Sequence, residues 1–394
     1  MRWASTLATG DGFDEAFTGA IARLVGKLEG EEPDLVLVFA TLGYGEDHHR
    51  IPGALRAAFP DSQIAGCAAE GVVGGGREIE HTPAVALIGA VLPDVEVRAI
   101  HVDGADLPGP MADVESWHRL MGLDPVGDPQ FLLFPDAFTT DVDALLAGLD
   151  EAFPTGVKIG GLASGAPAPG LNILFVNGTL HRMGTVAVTL RGEILVDSVV
   201  AQGCRPIGEP MLVTRCEANL IHEFDGRPAA TALVQLFESL PEEDQDLFRR
   251  SLCLGVALDA DADSVGPGEF LIRNLVGVDP GLGIVAVGTE MRTFQTVQFH
   301  LRDAETAASD LRTMLRRGVD PTDPDVAPAA ALLFTCLGRG EGLYGVPGHD
   351  SGMIVEHLGE LPIGGFFCGG EIGPVEGRTR VHGFTSSVAL LRAP

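Results

Sequence analysis

The sequence predicts an α/β protein with mixed sheets, in which duplicated strand-helix-Gly turn-strand units form two layered α/β domains. Three observations carry this reading. Apolar runs of four or five residues bounded by turn formers read as fully buried strands of helix-covered sheets. Each run is followed by helical periodicity ending at a proline, and the same order recurs three times, which fixes architecture before any local detail.

The first copy opens at Leu35-Val36-Leu37-Val38-Phe39, continues through a helical pattern of Ala54, Leu55, Ala58 and Phe59 to Pro60, and turns at Ile64-Ala65-Gly66-Cys67. The second runs from Phe131-Leu132-Leu133-Phe134 through Ala144 to Phe153 and Pro154 to Ile159-Gly160-Gly161-Leu162. Phe39 to Gly66 and Phe134 to Gly161 both span 27 positions, a gapless shared register. The third runs from Ala331-Leu332-Leu333-Phe334 through a helix near Ile354 to Leu358, and on to Pro362-Ile363-Gly364-Gly365-Phe366, with an interval of 31. Apolar strands close the copies at Ala84 to Ala90, Thr185 to Leu190 and Ser387 to Leu391.

Between the second and third copies the chain turns β-rich, with strand composition at Met211 to Thr214, Glu269 to Asn274, Leu275 to Val278, Gly283 to Val287 and Thr296 to His300. Helices are expected near Pro228 to Leu240 and Ala304 to Arg317. The expected domains are 1–204, holding two repeat units, and 205–394, holding the β-rich insert and the third unit.

Composition narrows the function classes. Of 394 residues, 45% are hydrophobic and 21% charged, enough apolar content for a large core. The net charge of -29 repels phosphate backbones and anionic lipid, so neither nucleic acid nor membrane is an expected partner. No apolar stretch of about 18 residues and no signal-like start occurs, which points to the cytoplasm. Six scattered cysteines without a CxxC pair are expected to be free thiols. Only Lys27 and Lys158 are lysines, and Lys158, beside a Gly-Gly turn, is expected to be a solvated strand-end residue.

The common site motifs fail on inspection. Neither Gly71-Val72-Val73-Gly74-Gly75-Gly76 nor the glycines after Ile363 end in the Lys-Ser/Thr of a phosphate loop. Asp259, Asp261 and Asp263 begin like a calcium loop, but Ser264 and Phe270 stand where glycine and glutamate are needed, so no metal is expected. Cys67 and Cys336 are candidate nucleophiles if His300 or His382 approaches, although small buried core residues are the simpler reading.

Polar groups cluster just past the ends of apolar strands, where open α/β sheets present ligands: Arg273-Asn274, Gln298, His300, Arg302, Cys336, Arg339 and Gly369-Gly370-Glu371. An arginine there can grip a carboxylate through its planar fork, while Glu371 accepts an amine. The third copy is where recognition is expected, with the first two as scaffold and opposing wall.

These stretches resemble the FIST family, with an N-terminal and a C-terminal FIST domain over nearly the whole chain. The similarity rests on Thr214-Arg215, Asn219 and Asp225-Gly226-Arg227-Pro228-Ala229, on Phe270 to Asn274, Val297 to Asp303, Cys336 to Gly340 and Gly365 to Pro374. Gly66-Cys67-Ala68-Ala69-Glu70-Gly71 is similar to the family's turn. The resemblance implies a sensory input protein of signal transduction that binds small ligands, amino acids or their derivatives, and signals through a separate output protein; the strand-end cluster adds a related small carboxylate as a candidate. Some members are associated with haem and nitric oxide, which makes His222, His300 and His382 candidate axial ligands. The leading expectation is a stand-alone ligand sensor without a cofactor and not an enzyme. Its alternatives are a haem-binding gas sensor and an enzyme with a cysteine nucleophile.

Overall fold

The computed structural model describes residues 1–123, 127, 129–258, 270–318 and 327–394. The acidic triplet at 259, 261 and 263 lies outside them. Two compact units emerge: Met1–Ala201 with Leu311–Val381 and Thr385–Pro394, and Gln202–Asp310 with His382–Phe384. The chain leaves the first unit after Ala201 and returns at Leu311, so the third repeat folds with the first two and residues 205–394 are shared between the units.

Each repeat of the first unit contributes six strands. The first holds β1 (Arg2–Thr9), β2 (Leu35–Thr41), β3 (Gln63–Ala69), the hairpin β4 (Gly71–Gly74) and β5 (Arg77–Glu80), and β6 (Ala84–Val91), with helices α1 (Phe13–Lys27) and α2 (Ile51–Ala58). The second holds β7 (Val95–Val102), β8 (Gln130–Pro135), β9 (Lys158–Gly161), the hairpin β10 (Leu174–Val176) and β11 (Thr179–His181), and β12 (Thr185–Gly192), with α3 (Val114–Met121) and α4 (Val142–Ala152). The third opens with β13 (Leu195–Ala201). The second unit then intervenes with β14 (Cys204–Glu217), β15 (Leu220–Phe224), β16 (Arg227–Pro228), α5 (Ala229–Ser239), α6 (Glu242–Ser251), β17 (Leu252–Ala257), β18 (Phe270–Asp279), β19 (Ile284–Val287) and β20 (Thr296–Arg302). After α7 (Ala304–Gly318), the third repeat resumes with β21 (Ala330–Cys336), α8 (Gly340–Tyr344), α9 (His349–Leu358), β22 (Ile363–Cys368), the hairpin β23 (Glu371–Val375) and β24 (Arg378–His382), and β25 (Ser386–Arg392).

The three sheets have orders β1-β6-β2-β3-β10-β11, β7-β12-β8-β9-β23-β24 and β13-β25-β21-β22-β4-β5. In each, four strands come from one repeat and the terminal hairpin from another. The hairpin of the first repeat completes the third sheet, that of the second completes the first, and that of the third completes the second. This cyclic exchange buries a sheet edge that would otherwise offer unpaired backbone groups.

The Gly-rich turns have a steric cause. Gly66, Gly160 and Gly365 lie opposite Val38, Leu133 and Leu333 in the three parallel pairs. A Cβ on any of them would fall 1.8, 2.0 or 1.9 Å from the facing carbonyl oxygen. The equivalent of Gly66 is therefore Gly160 rather than Gly161, one residue away from the gapless register that the spacing suggested. Beside these glycines, Phe39, Phe134 and Phe334 pack around Phe366, with ring centroids 4.9, 5.8 and 5.7 Å from it. Alternating residues of all three sheets join them in one core, and separate apolar layers under α1–α2 and α3–α4 cover the outer faces of the first two sheets. Burial on both faces explains the continuous apolar runs.

The second unit is antiparallel throughout. Strands β14-β20-β17-β18-β19-β15 follow one another, and β15 pairs back to β14, closing a six-stranded barrel. Closure is possible because β14 is long: its first half pairs with β20, its second with β15, and the register shifts between Ile207 and Met211. Val213, Phe224, Leu254, Val297 and Phe299 fill the interior.

Gly66→Ala is expected to cost more than about 4 kcal/mol in urea denaturation, because the facing backbone cannot retreat. Gly377→Ala, at φ 75 with nothing within 4 Å of its Cβ, should cost only about 1–2 kcal/mol. Equal losses would contradict the steric account.

Candidate functional site

The polar strand end of the third repeat is built around a buried ion pair. Arg339 follows β21 and is 1% exposed. Its Nε donates to Asp350 Oδ2 at 2.8 Å and its Nη2 to Asp350 Oδ1 at 3.1 Å. Thr335 and Ser386 hydroxyls also donate to Asp350 Oδ2, and His349 Nδ1 lies 3.1 Å from Oδ1. Burial works against both charges, but the two ions outweigh it: Asp350 is held well below the usual carboxylate range, and the guanidinium stays charged. The Arg339 fork is thus already occupied and cannot grip a ligand carboxylate bidentately, as the sequence suggested. Only Nη1 lacks an acceptor. A buried guanidinium without a carboxylate partner would be strongly destabilising.

Helix α8 covers this pair. The Tyr344 ring centroid lies 5.6 Å from Arg339 Cζ and stacks on His349 at 3.5 Å. Gly340, Gly345 and Gly348, at φ 63, 72 and 71, flank the cover with left-handed backbone. The hairpin from the first repeat holds both helices: Glu80 accepts the N–H of Glu341 in α8 at 2.9 Å, and Glu78 that of Ser351 in α9 at 2.6 Å. Burial first, then the charge of Asp350, pushes the Glu78 carboxyl up to about 7.

Glu371 begins the exchanged hairpin and is fully buried. Oε2 accepts the Thr385 N–H at 3.1 Å, while Oε1 has no partner. Burial pushes its carboxyl well above the ordinary range, opposed by the Thr385 N–H and the Arg339 charge. Gly369 and Gly370 pair with Leu162, so their role is to seat β23 on β9. Cys67 lies opposite Phe39 inside the apolar core. Burial raises both its thiol and that of Cys368, which keeps them protonated rather than nucleophilic. Cys336 is buried at the end of β21, its Sγ accepting the Gly338 N–H.

The remaining predicted residues belong to the barrel. Gly255 faces both Gln298 and Ile272, whereas Leu254 faces both Phe299 and Arg273. Strand alternation therefore puts Arg273 on the interior side with Phe299, and Gln298, His300 and Asn274 on the other. Gln298 Nε2 donates to Gly208 O at 2.7 Å, and Arg302 lies over the Phe384 ring at 4.9 Å. Burial lowers His300, whose Nδ1 meets Gln298 O at 3.0 Å. The ring is hemmed in by Phe270, 5.2 Å away, and by Gly255, where even a Cβ would come within 2.5 Å. A haem would need an open apolar slot there, and these residues do not fit one.

Lys158 departs from expectation. It is 2% exposed and ion-paired with Asp150 at 3.3 Å, because α4 packs over the start of β9. Asp350 and Glu78 were missed. Asp350 reads in sequence as an ordinary acidic first-turn residue, and nothing local reveals which sheet the hairpin carrying Glu78 will join. The alternation of Arg77-Glu78-Ile79-Glu80, placing both glutamates on one face, was the available signal.

The sequence matches the FIST N domain over residues 34–227 and the FIST C domain over 229–374. The chain belongs to the FIST family. FIST domains are sensory domains of signal transduction. Among similar proteins, an uncharacterised Mycobacterium tuberculosis protein is 35% identical over 99% of each chain. An uncharacterised Mycobacterium bovis protein is 34% identical over 99% of this FIST chain and 98% of its own. An F-box/LRR-repeat protein of Arabidopsis thaliana is 38% identical over 90 residues, 22% of this chain and 17% of that one. A cyanuric acid hydrolase structure from A. caulinodans aligns over 100% of this chain and 99% of that one at TM-score 0.35 and 10% identity. Among the described residues, no helix is long and apolar enough to cross a membrane.

Glu78 binds its proton more tightly folded than unfolded, so between its ordinary value of 4.5 and about 7 the native state holds the extra proton. Stability from this group is present below that window and lost as pH rises through it. Glu78→Gln still accepts the Ser351 N–H without titrating. Its stability relative to wild type should therefore rise by on the order of 1–3 kcal/mol between about pH 5 and about pH 8 in urea titrations. A pH-independent difference would contradict the placement of Glu78.

Proposed function

We propose that this FIST protein is a stand-alone intracellular sensor that receives a small amino acid or related carboxylate at the strand end of the third repeat and signals through a separate output protein. The observation that carries the reading is the buried pair of unused groups, Glu371 Oε1 and Arg339 Nη1, the second of them beneath the glycine-flanked cover α8. Unpaired buried groups of this kind cost about 1–3 kcal/mol each. A ligand offering an ammonium to Glu371 and a carboxylate oxygen to Arg339 would recover that cost.

Two consequences follow from the chemistry. Burial holds the Glu371 carboxyl above its ordinary range, and an ammonium pairs with its ionised form, so binding strengthens as pH rises. Entry requires α8 to lift, which converts occupancy into a change of shape that a partner can read. The protonated thiols of Cys67 and Cys368 favour this binding role over nucleophilic catalysis.

Thermal denaturation with a panel of amino acids and short carboxylates checks the proposal. The matching compound should stabilise the protein by about 2.7 kcal/mol at a hundredfold excess over its Kd. Glu371→Gln, which keeps the side-chain shape, should weaken binding at least about tenfold. Stabilisation by no compound, or undiminished binding to the variant, would overturn it.

A further inference from the structure

A second candidate site lies on the outer face of the barrel, and it is built from sulfur. Cys204 opens β14 and Cys253 stands in β17, with β20 between the two strands. Cys204 pairs with Arg302 and Cys253 with His300, so all four side chains leave the same face of the sheet. The two Sγ atoms are 3.9 Å apart, and neither belongs to a disulfide. Cys253 is fully buried against Phe270 and Ile272, whereas Cys204 is half-buried, which gives the pair a route from solvent.

Geometry decides what the pair can do. Adjacent strands lie about 4.8 Å apart, so an intervening strand holds the two backbones about 9–10 Å from each other. A disulfide needs Cα atoms within about 7 Å, and forming one would pull the ladder away from β20. A metal ion needs no such movement. With metal–thiolate bonds of about 2.3 Å, a separation of 3.9 Å corresponds to a sulfur–metal–sulfur angle of about 116°, near the trigonal value. Among the described residues no group of three histidine, cysteine or carboxylate side chains could hold a metal, which disfavours zinc with its three or four protein ligands. An ion satisfied by two protein sulfurs and one small ligand from solvent remains, and among thiolate-seeking metals that ion is Cu(I).

The surroundings favour a soft, weakly hydrated ion. Phe270, Ile272, Ala257 and Phe384 form an apolar shell around the sulfurs. Loading exchanges the two thiol protons for Cu(I) and releases them to solvent, so the neutral pair becomes a bis-thiolate with a single negative charge. Arg302, opposite Cys204 in the ladder and 4.9 Å from the Phe384 ring, places a positive charge beside it. We propose that Cys204 and Cys253 hold one Cu(I) ion on the outer face of the barrel, with Arg302 balancing the charge of the bis-thiolate. The site is separate from the strand end at Glu371 and does not depend on the sensing role proposed there.

Full-length protein, kept reduced by a thiol-free reductant and titrated with Cu(I) against the chromophoric chelator bicinchoninate, should retain one ion per chain. Cys204→Ser and Cys253→Ser should each weaken retention at least about a hundredfold and Arg302→Met about tenfold. Cys216→Ser, at the other half-buried cysteine, should leave it unchanged. X-ray absorption on the loaded, unsubstituted protein needs no variant to fold, and it should find two sulfur neighbours at about 2.3 Å from copper. Hydrogen peroxide added to the metal-free protein should leave Cys204 and Cys253 unlinked by mass spectrometry, as the intervening strand requires. Equal retention in Cys204→Ser, copper without two sulfur neighbours, or a Cys204–Cys253 disulfide after peroxide would overturn the proposal.

Discussion

The first unit depends on the exchange of β-hairpins among its three repeats. A repeat alone would hold four strands with an open edge on the strand whose glycine packs against its parallel neighbour. Each exchanged hairpin covers that edge, and each is fixed by polar contacts to its host. Asn177, in the second hairpin, accepts from Ile64 N and donates to Gln63 Oε1 of the first repeat. Thr379, in the third, gives both its N–H and hydroxyl to Asp150 of the second, which Lys158 neutralises. Glu78 and Glu80, in the first, cap backbone N–H groups of the third. The ring of exchanges closes on itself, so no repeat is complete without another.

This arrangement explains why polar chemistry gathers at the third strand end. Among the described residues, only there does the hairpin itself dock through carboxylates, and they meet a strand end that already holds Arg339, Asp350 and Glu371. Glu78, Asp350, Glu371 and one guanidinium, all removed from water, cannot all be ideally paired. The surplus appears as the raised carboxyl groups of Glu78 and Glu371 and as unused hydrogen-bonding atoms. Local cost of this kind is what the proposed sensing site would draw on. Left-handed glycines bound α8 on both sides.

The sequence made the repeat visible because its causes are local. Continuous apolar runs follow from sheets buried on both faces, and a glycine is required wherever a strand's Cβ would strike the neighbouring carbonyl. Helices expected near 228–240 and 304–317 appear as Ala229–Ser239 and Ala304–Gly318 for the same reason. Partnership across repeats was not legible. Arg339 was identifiable as a strand-end arginine, but its commitment to Asp350 depends on how α9 seats. Arg273 and Gln298 looked convergent because both follow apolar stretches, whereas barrel alternation separates them onto opposite faces. Cys67 sits in a turn-like sequence yet faces the phenylalanine core, since a side chain opposite Phe39 in a parallel pair has nowhere else to point.

The claim on which these inferences rest is that hairpin exchange makes the three repeats one cooperative body. Native-state hydrogen exchange on β2, β8 and β21 tests it in Thr379→Val, which removes the hydroxyl bond from the third hairpin to Asp150 and leaves the Asp150–Lys158 pair in place. The account predicts that slow-exchanging amides of all three strands lose the same opening free energy, on the order of 1–3 kcal/mol. A loss confined to β8 and β9, with β2 and β21 unchanged, would contradict it.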